Sequence, residues 1–443
     1  MKNVSVRDTG AVGDGRTKDT AAVQAAIDLC GAAGGGRVTL DGGTFLCGRL
    51  DLRSGVELHL ERDATLQFSG DVSDFPEIVT DFWKTEYAPR FNKRCMLYAE
   101  NCTDIALTGR GTISCSGEQY VLPMTEDMIA THPAQSYIRK PFPNKTTEGM
   151  DQQQLDHLKF SVKTDPRLTS LAPARVALFM GCRNVTVEGI TMTNQPAGWS
   201  YWVTGCENVF FTKTTINAAV DMPNNDGIHI NCSKNVIVSD CNITTGDDCL
   251  VVRAYSAPHG RNIPCEGVCV TNCNLRSHAF AVRVGWIGDG TMRDLAFSNL
   301  TITDTTSGIG MRFYGDPNGK RLSDQGFEAT RIENVSFSNI VMNRILVRPI
   351  FLEIRVPIPF GGIRDVHFSH VYAKSARMPF ISGRADCPIE NVTFSDCRFT
   401  QMPYEEMGTF FAERFAKYAN KLEPAVIRNV RGLSLDGTVF DAL

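Results

Sequence analysis

One phrase recurs along most of the chain, and it limits the possible folds more than any other feature of the sequence. It begins with a polar residue, usually Asn or Asp, continues as an alternating apolar triplet, breaks, and ends in a second alternating triplet. Clear copies are CRNVTVEGITMTN (182–194), CENVFFTKTTINA (206–218), SKNVIVSDCNITT (233–245), MRDLAFSNLTITD (292–304), IENVSFSNIVMNR (332–344), IRDVHFSHVYAKS (363–375) and IENVTFSDCRFTQ (389–401). Weaker copies begin near Gly55, Asn101, Glu266 and Asn429.

Each phrase predicts two short strands joined by a tight bend, because alternation with period two turns one face of a strand inward. The copies follow one another at about 24 to 40 residues, and a single repeat of this kind must stack on its neighbours to bury its apolar face. The sequence therefore predicts an all-β fold, a single parallel β-solenoid over 1–443, with the recurrent Asn at the bends. A leucine-rich solenoid fits poorly, because the repeats have no helical half.

Both ends of a solenoid need covering, because an open end exposes core residues and unpaired strand edges. The N-terminal cap region, 1–50, contains a predicted helix with Asp19 or Thr20 as its N-cap and apolar residues at 23, 26, 27 and 30. A second amphipathic segment, 403–424, predicts a helical insertion near the C-terminal end.

Two segments interrupt the rhythm of the repeats. The longer, 117–171, has little strand alternation and many Pro, Lys and Asp residues, and 314–330 is a shorter polar loop. Long loops on a rigid scaffold commonly determine specificity, so 117–171 is expected to be an inserted loop beside a binding cleft.

Composition excludes several classes of protein. The chain of 443 residues has a formal net charge of −4, which argues against general nucleic-acid binding. It has no apolar run long enough to span a membrane, and its start has no secretion signal, which predicts a cytoplasmic location unless a leader was removed. The fifteen cysteines are scattered and predict buried free thiols. No zinc-like set of ligands accompanies Cys265, Cys269 and Cys273, and neither a metal nor a cofactor is expected.

Three carboxylates stand out between the repeats. Asp226 and Asp247 are 21 residues apart, and each precedes an apolar strand-like run, so they are expected at equivalent positions on adjacent coils, with backbones within roughly 5 Å. Asp248 adds a third carboxylate, and like charges at that range force at least one pKa upward. A protonated acid beside an ionised base is what glycosidic hydrolysis requires. Calcium binding and bend capping are the competing interpretations.

The motifs PNNDGIHI (223–230) and TGDDCLVV (245–252) resemble the Asn-x-Asp-Gly and Gly-Asp-Asp signatures of the polygalacturonase family, glycoside hydrolase family 28. The opening DTGAVGDGRTKDTAAVQAAID resembles the N-terminus of the same superfamily. The resemblance implies a right-handed parallel β-helix and an inverting hydrolase. In that mechanism Asp247 is the general acid, and Asp226 with Asp248 holds the attacking water.

The resemblance also implies substrate-binding residues, which are Asn224, His278, Arg283, Arg312, Tyr314 and Trp199. Two of these positions depart from the family pattern. His278 lies in RSHAFAVRVG, where the family has Gly-His-Gly, and Tyr314 replaces the lysine of Arg-x-Lys after the matching Arg312. A phenol offers a hydrogen bond but no charge, so the departure predicts weaker binding of a uronate carboxylate and weak activity on plain polygalacturonate.

The sequence therefore predicts a glycoside hydrolase acting on a pectin-related or other plant or microbial oligosaccharide or polysaccharide. An ordered loop at 117–171 closing one end of the cleft would favour exo-action. A carbohydrate-binding solenoid, in which the carboxylates are structural, and a β-helical lyase or epimerase are the alternatives. The sugar, the linkage and the oligomeric state stay open.

Overall fold

The computed structural model describes residues 2–80, 94–131, 134–139, 172–256, 259–313, 330–358, 361–408 and 423–442. These residues form stacked coils whose strands pair in parallel with the equivalent strands of the preceding and following coils. The strands form three parallel stacks, here called sheets 1, 2 and 3 in their order along a coil. The predicted all-β, right-handed parallel β-helix is confirmed.

Each sheet takes one short strand from most coils, and four long strands bend through two or three sheets. Sheet 1 contains Leu50–Asp51, Cys95–Glu100, Arg175–Met180, Trp199–Thr204, Ile228–Asn231, Leu250–Arg253, Phe280–Val284, Phe380–Ser382 and Val426–Arg428. Sheet 2 contains Lys2–Ser5, Gly36–Leu40, Val56–Leu60, Thr103–Gly109, Arg183–Glu188, Glu207–Thr212, Lys234–Ser239, Ile389–Ser395 and Val430–Asp436. Sheet 3 contains Asp14–Lys18, Gly43–Cys47, Ala64–Phe68, Thr112–Ser114, Thr191–Thr193, Thr215–Asn217, Asn242–Thr245, Arg398–Gln401 and Val439–Asp441. The long strands are Cys265–Ser277, Thr291–Phe313, Arg331–Ile354 and Gly362–Ser375.

The repeated phrase supplies sheets 2 and 3, as predicted, but not sheet 1. Phrase 182–194 becomes Arg183–Glu188 in sheet 2 and Thr191–Thr193 in sheet 3. Sheet 1 comes from the residues between phrases, and some of its strands, such as Trp199–Thr204, are buried on both faces. A strand buried on both faces carries no alternation in its sequence, so periodicity does not reveal it.

The recurrent Asn occupies a left-handed position and links successive coils. Asn184, Asn208 and Asn235 have φ near +55°, a region that Asn tolerates better than most residues. The side-chain amide of Asn208 donates to Asn184 at 3.0 Å, and that of Asn235 donates to Asn208 at 3.2 Å. The recurrent Asn lies at the bends, as predicted, and its side chain is hydrogen-bonded to the Asn of the neighbouring coil.

The core is a continuous apolar column inside the coils. Phe297, Phe337, Phe368 and Phe394 stack in consecutive coils with ring centroids 4.8–5.1 Å apart. All fifteen cysteines are free, and every one except the half-buried Cys269 is buried, which confirms the prediction of buried thiols.

The N-terminal end is covered as predicted. A helix, Thr20–Ala32, follows the N-cap residue Asp19 and buries Val23, Ala26, Ile27 and Cys30. The Asp19 carboxylate does not cap the helix; it accepts hydrogen bonds from the backbone of Val12 and Gly13 at 2.7 and 2.9 Å.

At the C-terminal end, the described part of the predicted 403–424 insertion begins with a 3₁₀ helix, Tyr404–Met407. The rest of the predicted helix, 409–422, lies outside the described residues. In the last coil, the apolar side chains of Leu433 and Leu435 are 38% and 43% exposed.

The inserted loop 117–171 has local structure in the part that is described. It contains the 3₁₀ helix Gly117–Tyr120, the short helix Glu126–Thr131, and an antiparallel pair of strands, Val121–Pro123 and Tyr137–Arg139. Residues 140–171 lie outside the described part. No helix among the described residues is long and apolar enough to cross a membrane.

Candidate functional site

The three predicted carboxylates lie at the bend that leads from sheet 3 into sheet 1. Asp247 and Asp248 lie between Asn242–Thr245 and Leu250–Arg253, and Asp226 precedes Ile228–Asn231 on the adjacent coil. Ile228 pairs with Leu250, which aligns Asp226 with Asp248. The sequence analysis aligned Asp226 with Asp247, which is wrong by one residue, because the paired residues Ile228 and Leu250 are 22 positions apart and the two aspartates only 21.

The carboxylates converge closely. One oxygen of each of Asp226, Asp247 and Asp248 lies within 4.8 Å of the other two. Asp226 and Asp248 are 3% and 1% exposed, whereas Asp247 is half-buried. Asp247 is therefore the member of the cluster with the most access to solvent.

Burial dominates the electrostatics of Asp248. Burial raises the pKa of its carboxyl to about 7, Arg283 opposes that rise, and the neighbouring charges of Asp247 and Asp226 add to it. The carboxylate accepts a hydrogen bond from the Phe280 backbone N–H at 3.0 Å and lies 3.5 Å from the Arg283 guanidinium. The predicted rise of one pKa in the cluster falls on Asp248.

Asp226 forms a buried pair with a histidine that sequence reasoning missed. His229 Nε2 lies 2.7 Å from Asp226 Oδ2, and the imidazole stacks on Trp199 with ring centroids 3.5 Å apart. Burial, followed by the charges of Arg175 and Arg253, lowers the pKa of His229 well below its usual value. A neutral imidazole donates through Nε2 to the carboxylate and leaves Nδ1 as an acceptor, and Nδ1 forms no hydrogen bond with any described residue.

Two asparagines shape the bends that carry the carboxylates. The Asn225 side-chain oxygen accepts from the backbone N–H groups of Gly246 and Asp247 at 2.7 and 3.2 Å, so it ties one bend to the next. Asn224 adopts a left-handed φ of 57° and donates to Asp226 Oδ1 at 3.3 Å. Asn224 was predicted to bind substrate, and its described contact is instead to Asp226.

Arginines and tryptophans alternate on the sheet 1 surface beside the carboxylates. The Arg175 guanidinium lies 3.5 Å from the centroid of Trp199, and that of Arg283 lies 3.6 Å from Trp286. Arg253 also lies over Trp286, at 4.4 Å, and forms a bidentate ion pair with buried Asp289 at 2.6 and 3.0 Å. Of this group, the sequence analysis named only Trp199 and Arg283. Arg175, Arg253, Trp286 and Asp289 lie in strands or turns that match no recognised motif.

The remaining predicted substrate residues differ in their placement. His278 lies at the same bend one coil beyond Asp248, and its Nδ1 lies 3.2 Å from the Ala134 carbonyl of the inserted loop. Arg312 lies farther along sheet 1, where it pairs with buried Glu353 at 2.8 Å and covers Phe351 at 3.9 Å. Tyr314 lies outside the described residues.

The donors around the carboxylates bear on the calcium alternative. Calcium takes six to eight oxygen ligands. Here Asp226 Oδ2 is 2.7 Å from an imidazole nitrogen, and both oxygens of Asp248 face N–H groups of Phe280 and Arg283. Lone pairs directed at N–H groups suit carboxylates that exchange protons and hold water better than a calcium site.

The chain has relatives named as exo-acting and as endo-acting galacturonan hydrolases. The chain is 25% identical over 328 residues to an exo-poly-alpha-D-galacturonosidase of Dickeya chrysanthemi, an alignment that covers 71% of this chain and 52% of that protein. It is 26% identical over 397 residues to an endo-polygalacturonase of Pectobacterium carotovorum subsp. carotovorum, covering 86% and 84%. The chain spans only about half the length of several of the curated relatives that it matches.

A solved structure and a family model also match the chain. The structure of a hyperthermoactive exopolygalacturonase from Thermotoga maritima aligns with a TM-score of 0.74 at 20% identity, covering 99% of this chain and 92% of that one. The model of the glycosyl hydrolases family 28 matches residues 163–400, which include all three carboxylates and more than half of the chain. The chain therefore belongs to glycosyl hydrolase family 28.

Proposed function

We propose that the chain hydrolyses a glycosidic bond of an acidic, pectin-related oligosaccharide at Asp226, Asp247 and Asp248. The observation that carries the proposal is the convergence of one oxygen from each carboxylate within 4.8 Å, at a bend beside the arginines and tryptophans of sheet 1. Carboxyl groups this close retain a proton near neutral pH, and hydrolysis needs both a proton donor and an ionised base.

In the proposed mechanism Asp247, the most exposed carboxyl, protonates the leaving oxygen, while Asp226 and Asp248 hold the water that attacks the anomeric carbon. The donors from His229 to Asp226 and from Phe280 to Asp248 fix the orientations of the two water-holding groups. Burial raises the pKa of Asp248, and the family resemblance, rather than this pKa, assigns Asp247 as the proton donor.

The family resemblance implies that the anomeric configuration is inverted. The distance between the carboxyl groups gives a reason to measure this outcome. Two carboxyl groups of an inverting enzyme are usually about 6.5–9.5 Å apart. The 4.8 Å limit here joins nearest oxygens rather than carboxyl centres, and the cluster has a third member to hold water. We expect the anomeric proton of the first product, followed by NMR, to have the configuration opposite to that of the substrate. A product of unchanged configuration would assign one carboxylate as a nucleophile.

An acidic substrate is supported by Arg283, which the sequence analysis named, and by Arg253, which it did not. That analysis expected weak carboxylate binding because Tyr314 replaces a lysine. Arg253 and Arg283 lie over Trp286 near the carboxylates, and such guanidinium groups bind carboxylates in bidentate fashion. Weak activity on the plain polymer stays a prediction, as does a cytoplasmic location.

Exo-action is part of the proposal, and contacts of the inserted loop support it. Its backbone N–H at Ser136 donates to the backbone carbonyl of Asp221 at 2.9 Å, and its Ala134 carbonyl lies beside His278. The described part of the loop thus lies along the bend that carries the carboxylates, where it can limit how far a chain extends. One short product should appear from the start of digestion of a pectic oligosaccharide, whereas an early ladder of mixed lengths would indicate endo-action.

The decisive test compares Asp247→Asn with the parent chain on acidic and neutral pectic oligosaccharides, with products measured by mass. Loss of the general acid should lower kcat by about 10²- to 10⁴-fold while binding is retained. Asp28→Asn, at an exposed carboxylate on the N-terminal helix, is the control for loss of one negative charge. If the parent chain binds these sugars but releases no product, the carboxylates serve a binding solenoid. Unsaturated products would identify a lyase.

A further inference from the structure

A polar cavity of about 520 Å³ lies on the outer surface of sheet 1, several coils beyond the carboxylates. Its wall includes Glu353, Phe380, Ser382, Arg384 and Arg428. None of these residues belongs to the motifs that identified the candidate site.

The arginines of the cavity are held in place by neighbouring groups. Buried Glu353 accepts from Arg355 at 2.6 Å on one side and from Arg312 at 2.8 Å on the other. Arg384 forms a bidentate pair with Asp386 at 2.7 and 2.8 Å. Fixed guanidinium groups lose little conformational entropy when they bind an anion.

Positive charge exceeds negative charge in the cavity wall. Three arginines, Arg355, Arg384 and Arg428, face two carboxylates, and Glu353 is shared with a further arginine outside the wall. Arg428 is held by a neutral partner, the Ser382 hydroxyl, at 2.7 Å. The Phe380 ring adds an apolar surface in the same wall. A ligand that combines an anionic group with an apolar ring face would complement the arginines and Phe380 of this wall.

The strand register of sheet 1 places the cavity several coils beyond the carboxylate bend and offset from it across the sheet, since Glu353 and Ser382 align with Arg312. Val251, three residues after Asp248, pairs with Arg283, which pairs with Gly310, then Phe351, then Phe380. Four strand spacings separate Val251 from Phe380, which is roughly 19 Å along the surface.

Arginine and phenylalanine recur together along that line. The guanidinium of Arg283 lies 5.5 Å from the centroid of Phe280, that of Arg312 lies 3.9 Å from Phe351, and that of Arg428 lies 5.7 Å from Phe380. The surface from the bend to the cavity therefore presents cations at intervals over aromatic rings.

We propose that this cavity is a distal subsite for a carboxylate-bearing sugar unit of the same chain whose glycosidic bond lies at Asp247. The inference rests on the proposed function, since it requires an acidic oligosaccharide in the sheet 1 groove. It adds a dependence on chain length: short substrates do not reach the cavity, and longer ones gain affinity there.

The test measures kcat and KM for galacturonate oligomers from dimer to octamer with the parent chain and with Arg428→Gln. The variant should raise KM about tenfold for oligomers long enough to reach the cavity, because it removes one charge-assisted hydrogen bond. It should change KM for the dimer by less than twofold. Arg364→Gln is the matched control, because Arg364 is an exposed, ion-paired arginine of sheet 2, and it should change neither.

A binding arm separates this inference from the proposed function. Calorimetric titration of the octamer into the Asp247→Asn chain, with and without Arg428→Gln, needs no catalysis. A tenfold weaker octamer affinity with Arg428→Gln, abolished when the octamer is methyl-esterified, supports the subsite even if hydrolysis is absent. Equal effects of Arg428→Gln on dimer and octamer, or no effect on either, overturn it.

Discussion

At the scale of single residues, the acid chemistry of the bend follows from how differently three similar side chains are buried. Asp226 and Asp248 are almost fully enclosed, and each has a donor in place, whereas Asp247 keeps contact with solvent. The enclosed carboxylates are costly to ionise without those donors. Replacing one of these hydrogen-bond donors should therefore change the proton affinity of the carboxylate that it contacts as well as the rate of hydrolysis.

His229 is the donor whose removal is easiest to interpret. His229→Leu should lower kcat/KM about ten- to hundredfold, because it removes a buried hydrogen bond to a charged group. Loss of that donor raises the pKa of Asp226, so the acidic limb of the kcat/KM profile should move to higher pH. His229→Gln retains an N–H donor within similar reach of Asp226. It should therefore restore part of the lost kcat/KM and move the acidic limb part of the way back. A rate loss with an unmoved acidic limb would make His229 a packing residue only.

Asp248 predicts a pH dependence of stability with a definite sign. Its folded-state pKa, about 7, exceeds the ordinary value of 3.8, so the folded protein holds a proton that the unfolded chain releases. Its contribution to stability is therefore lost as pH rises from about 4 to 7. The melting temperature of Asp248→Asn minus that of the parent should increase across this interval. A difference that is constant from pH 4 to 8 would contradict the raised pKa.

At the scale of elements, the bends from sheet 1 into sheet 2 depend on asparagine for two separate reasons. The left-handed backbone at Asn208 disfavours most residues, and its side chain bridges Asn184 and Asn235. Glycine satisfies the first need and alanine neither. The two contributions can therefore be separated by substitution.

Asn208→Gly should lower the free energy of unfolding by about 1 kcal/mol, because only the side-chain hydrogen bonds are lost. Asn208→Ala should cost about 1–2 kcal/mol more, because alanine also strains the left-handed backbone. Urea unfolding of both variants measures the difference. Equal stability of the two would mean that the backbone conformation contributes nothing.

At the scale of the whole molecule, the described strands of each coil pair with those of the adjacent coils, so stability is distributed along the solenoid. The stacked Phe297, Phe337, Phe368 and Phe394 stabilise the C-terminal half. The first coils have a separate core, which includes Phe45 and Phe68, and pack against the N-terminal helix. A destabilising substitution in one coil should therefore promote local unfolding mainly in that coil and the adjacent coils.

Phe337→Ala should cost about 3–5 kcal/mol, because it opens a cavity between two stacked rings. Hydrogen exchange should accelerate in the coils around residues 291–375 and stay slow in the coils before residue 114. Phe210→Ala, which removes a 37% exposed ring from sheet 2, is the control and should alter neither region strongly. Uniformly faster exchange along the chain would show that the solenoid unfolds as one unit.

Much of this architecture and the three carboxylates were predictable from the sequence by itself. The strands of sheets 2 and 3 were predictable from the alternation of apolar and polar residues, because one face of each strand contacts solvent. The bends were predictable from the recurrent Asn. The N-terminal helix was predictable from its cap and apolar spacing. Asp226, Asp247 and Asp248 were found because their motifs directly precede apolar strand runs.

Only the tertiary structure decided the surroundings of those carboxylates. The sheet 1 strands beside the bend, such as Ile228–Asn231, are buried on both faces and carry no periodicity. His229, Arg253 and their neighbour Trp286 could therefore not be placed beside the bend from the sequence. The alignment of Asp226 with Asp248 rather than Asp247 depends on strand register, which local sequence does not fix at a bend. The raised pKa of Asp248 depends on burial and on charges from other coils. Sequence determined which chemical groups the chain brings to the bend, and packing between coils decided which of them keeps the proton.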